Sequence, residues 1–191
     1  MGALFCVATA TTAVAFLFSR PTCGEVECFL TDHLRGYQKE DVYQNTDRSY
    51  GALFKKGTNQ MRVEAWLNAL QSDANTIINN HIIRMSTLYE KSVSPYPGEI
   101  TNAISCAQEY RPVYTKDHAG GRETHLFTGF ATNRLTFGAC TGDTIDHRAA
   151  VVIFFCEKQK RLYKLELFSP IKNSPESFYQ EIKTIKSMPC G

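Results

Sequence analysis

At 191 residues the chain has room for one domain of ordinary size, and 43% hydrophobic residues with no long polar or single-sign run exclude a disordered chain. Its 21 basic against 19 acidic residues exclude the strong positive field that drives generic binding to a phosphate backbone. Lys158, Lys160, Arg161 and Lys164 crowd one stretch around a predicted turn, where a charged tip is solvated.

Residues 1–18 form the longest apolar segment. That length suits the core of a signal peptide better than a membrane span, which needs about 20 apolar residues. Ala13 and Ala15 give an A-x-A cleavage pattern, and a cut nearer Ser19 to Cys23 serves equally. The expected organisation is a signal peptide over 1–22 and one domain over 23–191, secreted to the extracellular space as a monomer with no membrane contact after cleavage. The absence of Lys or Arg before the apolar run, and Arg20 after it, leave a rival: an envelope protein held by an uncleaved anchor.

Of seven cysteines, Cys6 falls within the signal segment, leaving Cys23, Cys28, Cys106, Cys140, Cys156 and Cys190. An even number behind a secretory segment predicts disulfides formed in an oxidising compartment. A tie between Cys23 or Cys28 and Cys190 restricts the unfolded chain most, by roughly 4 to 5 kcal/mol in the loop-entropy model, and Cys28 with Cys190 is the favoured pair. The spacings match no paired CxxC zinc site, so neither a metal nor another cofactor is expected.

Residues 24–60 are polar with short apolar runs and read as turns with a hairpin. From Met61 to Tyr89 apolar residues recur at the three-and-four spacing of one buried helix face. A break near Ser72 to Asp73 or Asn79 to Asn80 keeps that helix from outgrowing a small sheet. Ser94-Pro95-Tyr96-Pro97-Gly98 ends it, and the periodicity then changes to two.

Tyr110 to Thr115, with Pro112, suits an edge strand, and Asp117 to Gly121 reads as a turn into a strand over Glu123 to Ala131. Leu135, Phe137 and Ala139 alternate as a third strand. The continuous apolar run Ala149 to Cys156 predicts a central strand covered on both faces. Tyr163, Leu165 and Leu167 alternate with Lys164 and Glu166, giving a last strand with one wet face after the turn Glu157-Lys158-Gln159-Lys160. Ser174-Pro175-Glu176 starts a short helix carrying Phe178, Ile182 and Ile185 that stops before Pro189. The predicted class is α+β: a long amphipathic helix packed on a four- to five-stranded antiparallel sheet, a short C-terminal helix, and disulfides.

Two constellations invite a catalytic or metal reading. Cys140, Asp146 and His147 lie close in one loop, but a cysteine in a multi-cysteine secreted chain is bridged and a bridged sulfur cannot attack. Asp117, His118, Glu123 and His125 match no established metal-ligand spacing. His81, on the apolar stripe, reads as a core histidine with a satisfied hydrogen bond.

Three stretches in order resemble the small fungal secreted ribonucleases and the ribonuclease-like candidate effectors of powdery mildews. They are Tyr96-Pro97-Gly98-Glu99-Ile100 after a helix, Thr141 to Val152 with Gly142-Asp143 and Arg148, and Leu162 to Ser169 followed by a cysteine near the C-terminus. The resemblance covers about residues 70–191. It implies that Tyr96 and Arg148 contact phosphate, with Glu123 near the place of the catalytic glutamate.

RNA cleavage in that family needs a base, an acid and a cation for the developing charge. Gly98 replaces the histidine of the Tyr-Pro-His element, and Leu165 to Ser169 offers only Glu166 where the closing-strand histidine belongs. The resemblance therefore implies a ribonuclease-like protein without catalysis that acts as an effector by binding a host protein or RNA through Tyr96, Glu123 and Arg148. The alternative is an active secreted hydrolase using Glu123, Arg148 or the Cys140 and His147 pair.

Overall fold

The computed structural model describes residues 24–46, 48–87, 110–138 and 145–190. The segments expected to hold the signal peptide, the Tyr96 element, Cys106 and Cys140 lie outside the described residues. Helix α1 (Glu25–His33) buries Val26 and Leu30, one turn apart, and places Glu25 and Glu27 in its first turn, where the helix dipole favours negative charge. Strands β1 (Gln38–Thr46), β2 (Ser49–Lys56) and β3 (Asn59–Trp66) follow as a meander. Gly57, at φ 59°, makes the left-handed step between β2 and β3.

Helix α2 (Gln71–Thr87) then leads toward strands β4 (Val113–Ala119), β5 (Arg122–Thr132), β6 (Ile145–Cys156) and β7 (Arg161–Pro170), and α3 (Pro175–Lys186) comes last. The strands form one seven-stranded antiparallel sheet in the order β1-β2-β3-β7-β6-β5-β4. Two meanders thus meet where β7 pairs with β3, from Gln60 opposite Phe168 to Trp66 opposite Leu162.

This arrangement overturns the expected long helix on a four- to five-stranded sheet. Met61 to Trp66 are strand, not helix: Met61, Val63 and Ala65 are fully buried at a period of two. The same residues, read on to Leu70, also satisfy helical spacing, which is why the two patterns were confounded. Asn68, at φ 55°, separates strand from helix, and the Asp73 carboxylate accepts the Leu70 amide at 2.8 Å at the true helix start.

Residues 24–60, expected as turns with a hairpin, carry α1, β1 and β2. Of the strand expected at Leu135, Phe137 and Ala139, Phe137 forms an isolated bridge with Ala131, and Ala139 lies outside the described residues. The turn expected at Asp117 to Gly121 narrows to Gly120 and Gly121, at φ 60° and 77°, because Asp117 to Ala119 still pair with β5.

Other expectations match. Strand β4 is an edge starting just after Pro112, β6 is buried along its apolar run, and Ser174 Oγ accepts the Ser177 amide with Pro175 in the first turn of α3. Helices α1 and α3 cover one face, where Leu30, Phe54, Val63, Phe154, Leu165 and Ile182 pack together. Helix α2 covers the other, with Ala74 and Ile78 against Phe127, Val151, Ile153 and Phe168. Strand β7 therefore has no wet face: even Glu166 is buried.

Cys190 is joined to Cys156, with Cα atoms 5.4 Å apart, and not to Cys28. Cys28 is bonded in a different disulfide. The expected pairing favoured the largest loop, but β6 delivers Cys156 to the sheet end over which the segment after α3 returns. The bridge spans 34 residues, and the loop-entropy relation then gives about 3 to 4 kcal/mol. Urea unfolding of the Cys156→Ala, Cys190→Ala double variant should show a stability loss of that size (~3 to 4 kcal/mol); an unchanged midpoint would contradict a structural role for the bridge.

Candidate functional site

The densest polar constellation stands on the β4–β5 hairpin, on the α2 face. Alternation puts Tyr114 and Lys116 of β4 beside Glu123, His125 and Phe127 of β5. His125 is 6% exposed, and both ring nitrogens are engaged: Nδ1 with the Tyr114 hydroxyl and Nε2 with Glu123 Oε1, each at 2.9 Å. Glu123 Oε2 meets Lys116 Nζ at 2.8 Å. The Tyr114 ring lies over both His125 and Phe127.

Charge states follow from these contacts. Burial raises the Tyr114 phenol, so the hydroxyl stays protonated and donates to Nδ1, and Nε2–H donates to the carboxylate. Burial lowers His125 against the opposing pull of Glu123, while the hydrogen bond from Lys116 lowers Glu123. The imidazole is thus neutral and saturated, with no lone pair left for a substrate. Glu123, half-exposed, opens onto a cleft of about 480 Å3 lined also by His118, Lys158, Gln71 and Ile78. His118, directly opposite Glu123 in the β4–β5 ladder, brings a second imidazole to this cleft, whereas that of His125 is already occupied on both nitrogens.

Arg122 anchors the hairpin end. Its guanidinium sits 3.6 Å above the Phe154 ring, and Nη1 donates to the carbonyls of Gly120 and Met188, tying the turn to the segment after α3. Burial lowers this guanidinium to about 10, and Nε and Nη2 have no partner among the described residues.

Arg148 lies elsewhere. It stands opposite Phe130, so Glu123 is seven residues further along β5, roughly 23 Å at about 3.3 Å per residue. The two also point to opposite faces of the sheet, since Arg148 has the parity of Ala150, Val152 and Phe154, packed under α1 and α3, and Glu123 that of Phe127, packed under α2. Its Nη1 donates to the carbonyls of Ile171 and Asn173, at 2.8 and 3.0 Å.

His147 pairs with Asp146 at 2.6 Å and stands opposite Ala131, six residues or roughly 20 Å from His125. Tyr96 and Cys140 lie outside the described residues. Asp117 turns to Lys186, and no group of three His, Cys, Asp or Glu among the described residues is placed to hold a metal ion.

Sequence reasoning missed a second polar cluster on the same face. Arg62 stands directly opposite Glu166, and Glu64 opposite Lys164, across the β3–β7 pairing. Glu166 meets Arg62 at 3.0 Å and Lys164 at 2.9 Å. Burial alone would lower the Lys164 ammonium, but Glu166 and Glu64 outweigh it and raise it. The alternation of opposite charges in Arg62-Val63-Glu64 and Lys164-Leu165-Glu166 was the available signal. His81 overlies this region with its ring edge to Phe127, and its Nε2 is buried with no partner among the described residues, contrary to the expected satisfied histidine.

Comparison with protein-family models, with curated proteins and with solved structures finds no match to this chain.

Two outcomes follow from this geometry. Burial, reinforced by Lys164 and Arg84 and opposed by Glu166, lowers His81 from 6.5 to about 4, and His125 moves in the same direction. The unfolded chain then binds protons that the native fold does not, so stability is full above about pH 6.5 and is lost as pH falls toward about 4. Urea midpoints should drop from pH 7 to pH 5, and His81→Phe should shrink that drop by up to about 1.4 kcal/mol per pH unit; an undiminished drop contradicts the assignment.

At Gly120 a Cβ would collide with Arg122 Nη1 and the Met188 carbonyl, whereas at Gly121 it meets open space. Both have positive φ, so Gly121→Ala should cost about 1 kcal/mol and Gly120→Ala about 2 to 3 kcal/mol in thermal or chemical unfolding. Equal costs would contradict the clamp.

Proposed function

We propose that this chain is a secreted, disulfide-held binding protein without catalytic activity, whose partner is a protein. The separation of Glu123 from Arg148 carries the reading. A carboxylate base and a cation must face one phosphodiester to cleave it, and these two stand roughly 23 Å apart on opposite faces of the sheet. Arg148 is committed to backbone carbonyls and His125 to Tyr114 and Glu123, so each has a role in holding the fold.

Disulfide bonding of Cys28, Cys156 and Cys190, together with the apolar segment at 1–18, supports folding in an oxidising compartment. A protein partner is favoured over RNA by the near-balance of charge, net +2, and by apolar side chains exposed at the two sheet edges, Val42 and Tyr43 on β1 and Val113 and Tyr114 on β4.

The deciding measurement incubates the purified, oxidised protein with single-stranded RNA beside the Glu123→Gln and Arg148→Ala variants. No cleavage by any of the three is expected. Turnover by the parent protein that either substitution abolishes would overturn the reading.

A further inference from the structure

We propose that the free edge of β4 pairs with β4 of a second copy of this chain, antiparallel across a two-fold axis, so that two seven-stranded sheets continue into one. Gly120 and Gly121, both at positive φ, make the two-residue hairpin turn whose flanking residues, Ala119 and Arg122, form a hydrogen-bonded pair. Ladder bonds alternate along an antiparallel strand, so Val113, Thr115 and Asp117 likewise spend their backbone groups on β5. The N–H and C=O groups of Tyr114, Lys116 and His118 therefore point away from the sheet, and they have no backbone partner among the described residues. A second extended backbone satisfies that whole row at once.

The two edges of the sheet are not alike. The β1 ladder is interrupted between Lys39 and Asp41 and again between Val42 and Gln44, and such bulges spoil an edge for regular pairing. The β4 ladder runs unbroken from Val113 to Ala119. Lys116, the kind of residue that guards an edge, is neutralised by Glu123 at 2.8 Å, and Asp117 is held by Lys186. With one edge spoiled, the sound edge meets its own copy, and the assembly closes as a dimer instead of growing into a filament.

Charge and proline then select the register. Centred on Thr115, the pairing sets Tyr114 opposite Lys116 of the second copy, where both residues can exchange N–H···O bonds, and lets His118 donate to the Pro112 carbonyl. The Lys116 ammonium then reaches the Tyr114 ring, which is 40% exposed, and the two exposed Thr115 side chains meet at the axis. Moving the axis to Lys116 opposes two ammonium groups. Moving it to Tyr114 sets Lys116 against Pro112, which has no N–H to give, and leaves His118 unpaired. The β1 edge, with Val42 and Tyr43, stays open for the protein partner proposed above, and the pairing does not depend on the absence of catalysis.

The test follows the mass of the oxidised protein by sedimentation at pH 7 over a wide concentration range, with amide hydrogen exchange as a second readout. A monomer–dimer equilibrium is expected, and the amides of Tyr114, Lys116 and His118 should slow as the dimer forms. Lys116→Pro removes an outward N–H and no bond to β5, and should weaken dimerisation roughly tenfold or more; Lys116→Ala, which keeps the N–H, should weaken it less. Thr115→Cys should link the two copies on mild oxidation, and Val113→Cys, placed opposite Asp117 of the second copy, should not. A chain monomeric at every concentration, a dimer as tight in Lys116→Pro as in the parent, or linking through Val113→Cys in preference to Thr115→Cys overturns the pairing.

Discussion

The pairing of β3 with β7 is the constraint on which the rest of the molecule depends. Each neighbouring half is a simple meander, β1 to β3 and β4 to β7, and only this ladder makes them one sheet. Val63 and Leu165, opposite each other in it, have no exposed surface, and they face the α1 and α3 side. On the other side of the same strands the opposed pairs Arg62 with Glu166 and Glu64 with Lys164 match charge across the ladder. A shift by one residue would bring apolar side chains to the charged face and charges under α1 and α3, so both faces specify one register.

Arg148, the candidate phosphate contact, acts in the same way as Arg122. Arg122 at one end of the sheet and Arg148 toward the other each donate to backbone carbonyls of the C-terminal part of the chain: Met188 for the first, Ile171 and Asn173 for the second. Between those two clamps lies α3, whose Phe178, Ile182 and Ile185 seal the core, and Cys156–Cys190 adds a covalent tie beside Arg122. Functional chemistry and structural fastening use the same side chain. A guanidinium whose Nη1 is spent on backbone carbonyls is a fastener.

Much of the second half was legible in the sequence because its signals are local and strong. The capped start of α3, the apolar run of β6 and the charged turn before β7 each rest on a few adjacent residues. The first half was not, for two physical reasons. Strand β1 is an edge whose described side chains are all exposed, so Gln38 to Thr46 carries no apolar alternation to read. Strand β3 carries a clean alternation, but the apolar residues after it fall where a helix would also place them.

At the candidate site the sequence identified Glu123, His125 and Arg148 as notable, but which of them share a face is decided by strand register, a long-range property. Lys164 and Glu166 were taken for solvent-facing residues because charge normally marks a wet face. Here mutual pairing allows both to sit beneath α2.

The distance in sequence across the central ladder has its own consequence. Arg62 and Glu166 are 104 positions apart, whereas every other strand pair in the sheet joins consecutive strands. Loop-closure entropy therefore falls most heavily on this one junction. A molecule in which it has opened holds two curled ribbons, each ending in a bare strand edge rich in aliphatic side chains, a template for pairing with another chain. Resistance to aggregation in this protein is thus set less by its finished surface than by how seldom its middle comes apart.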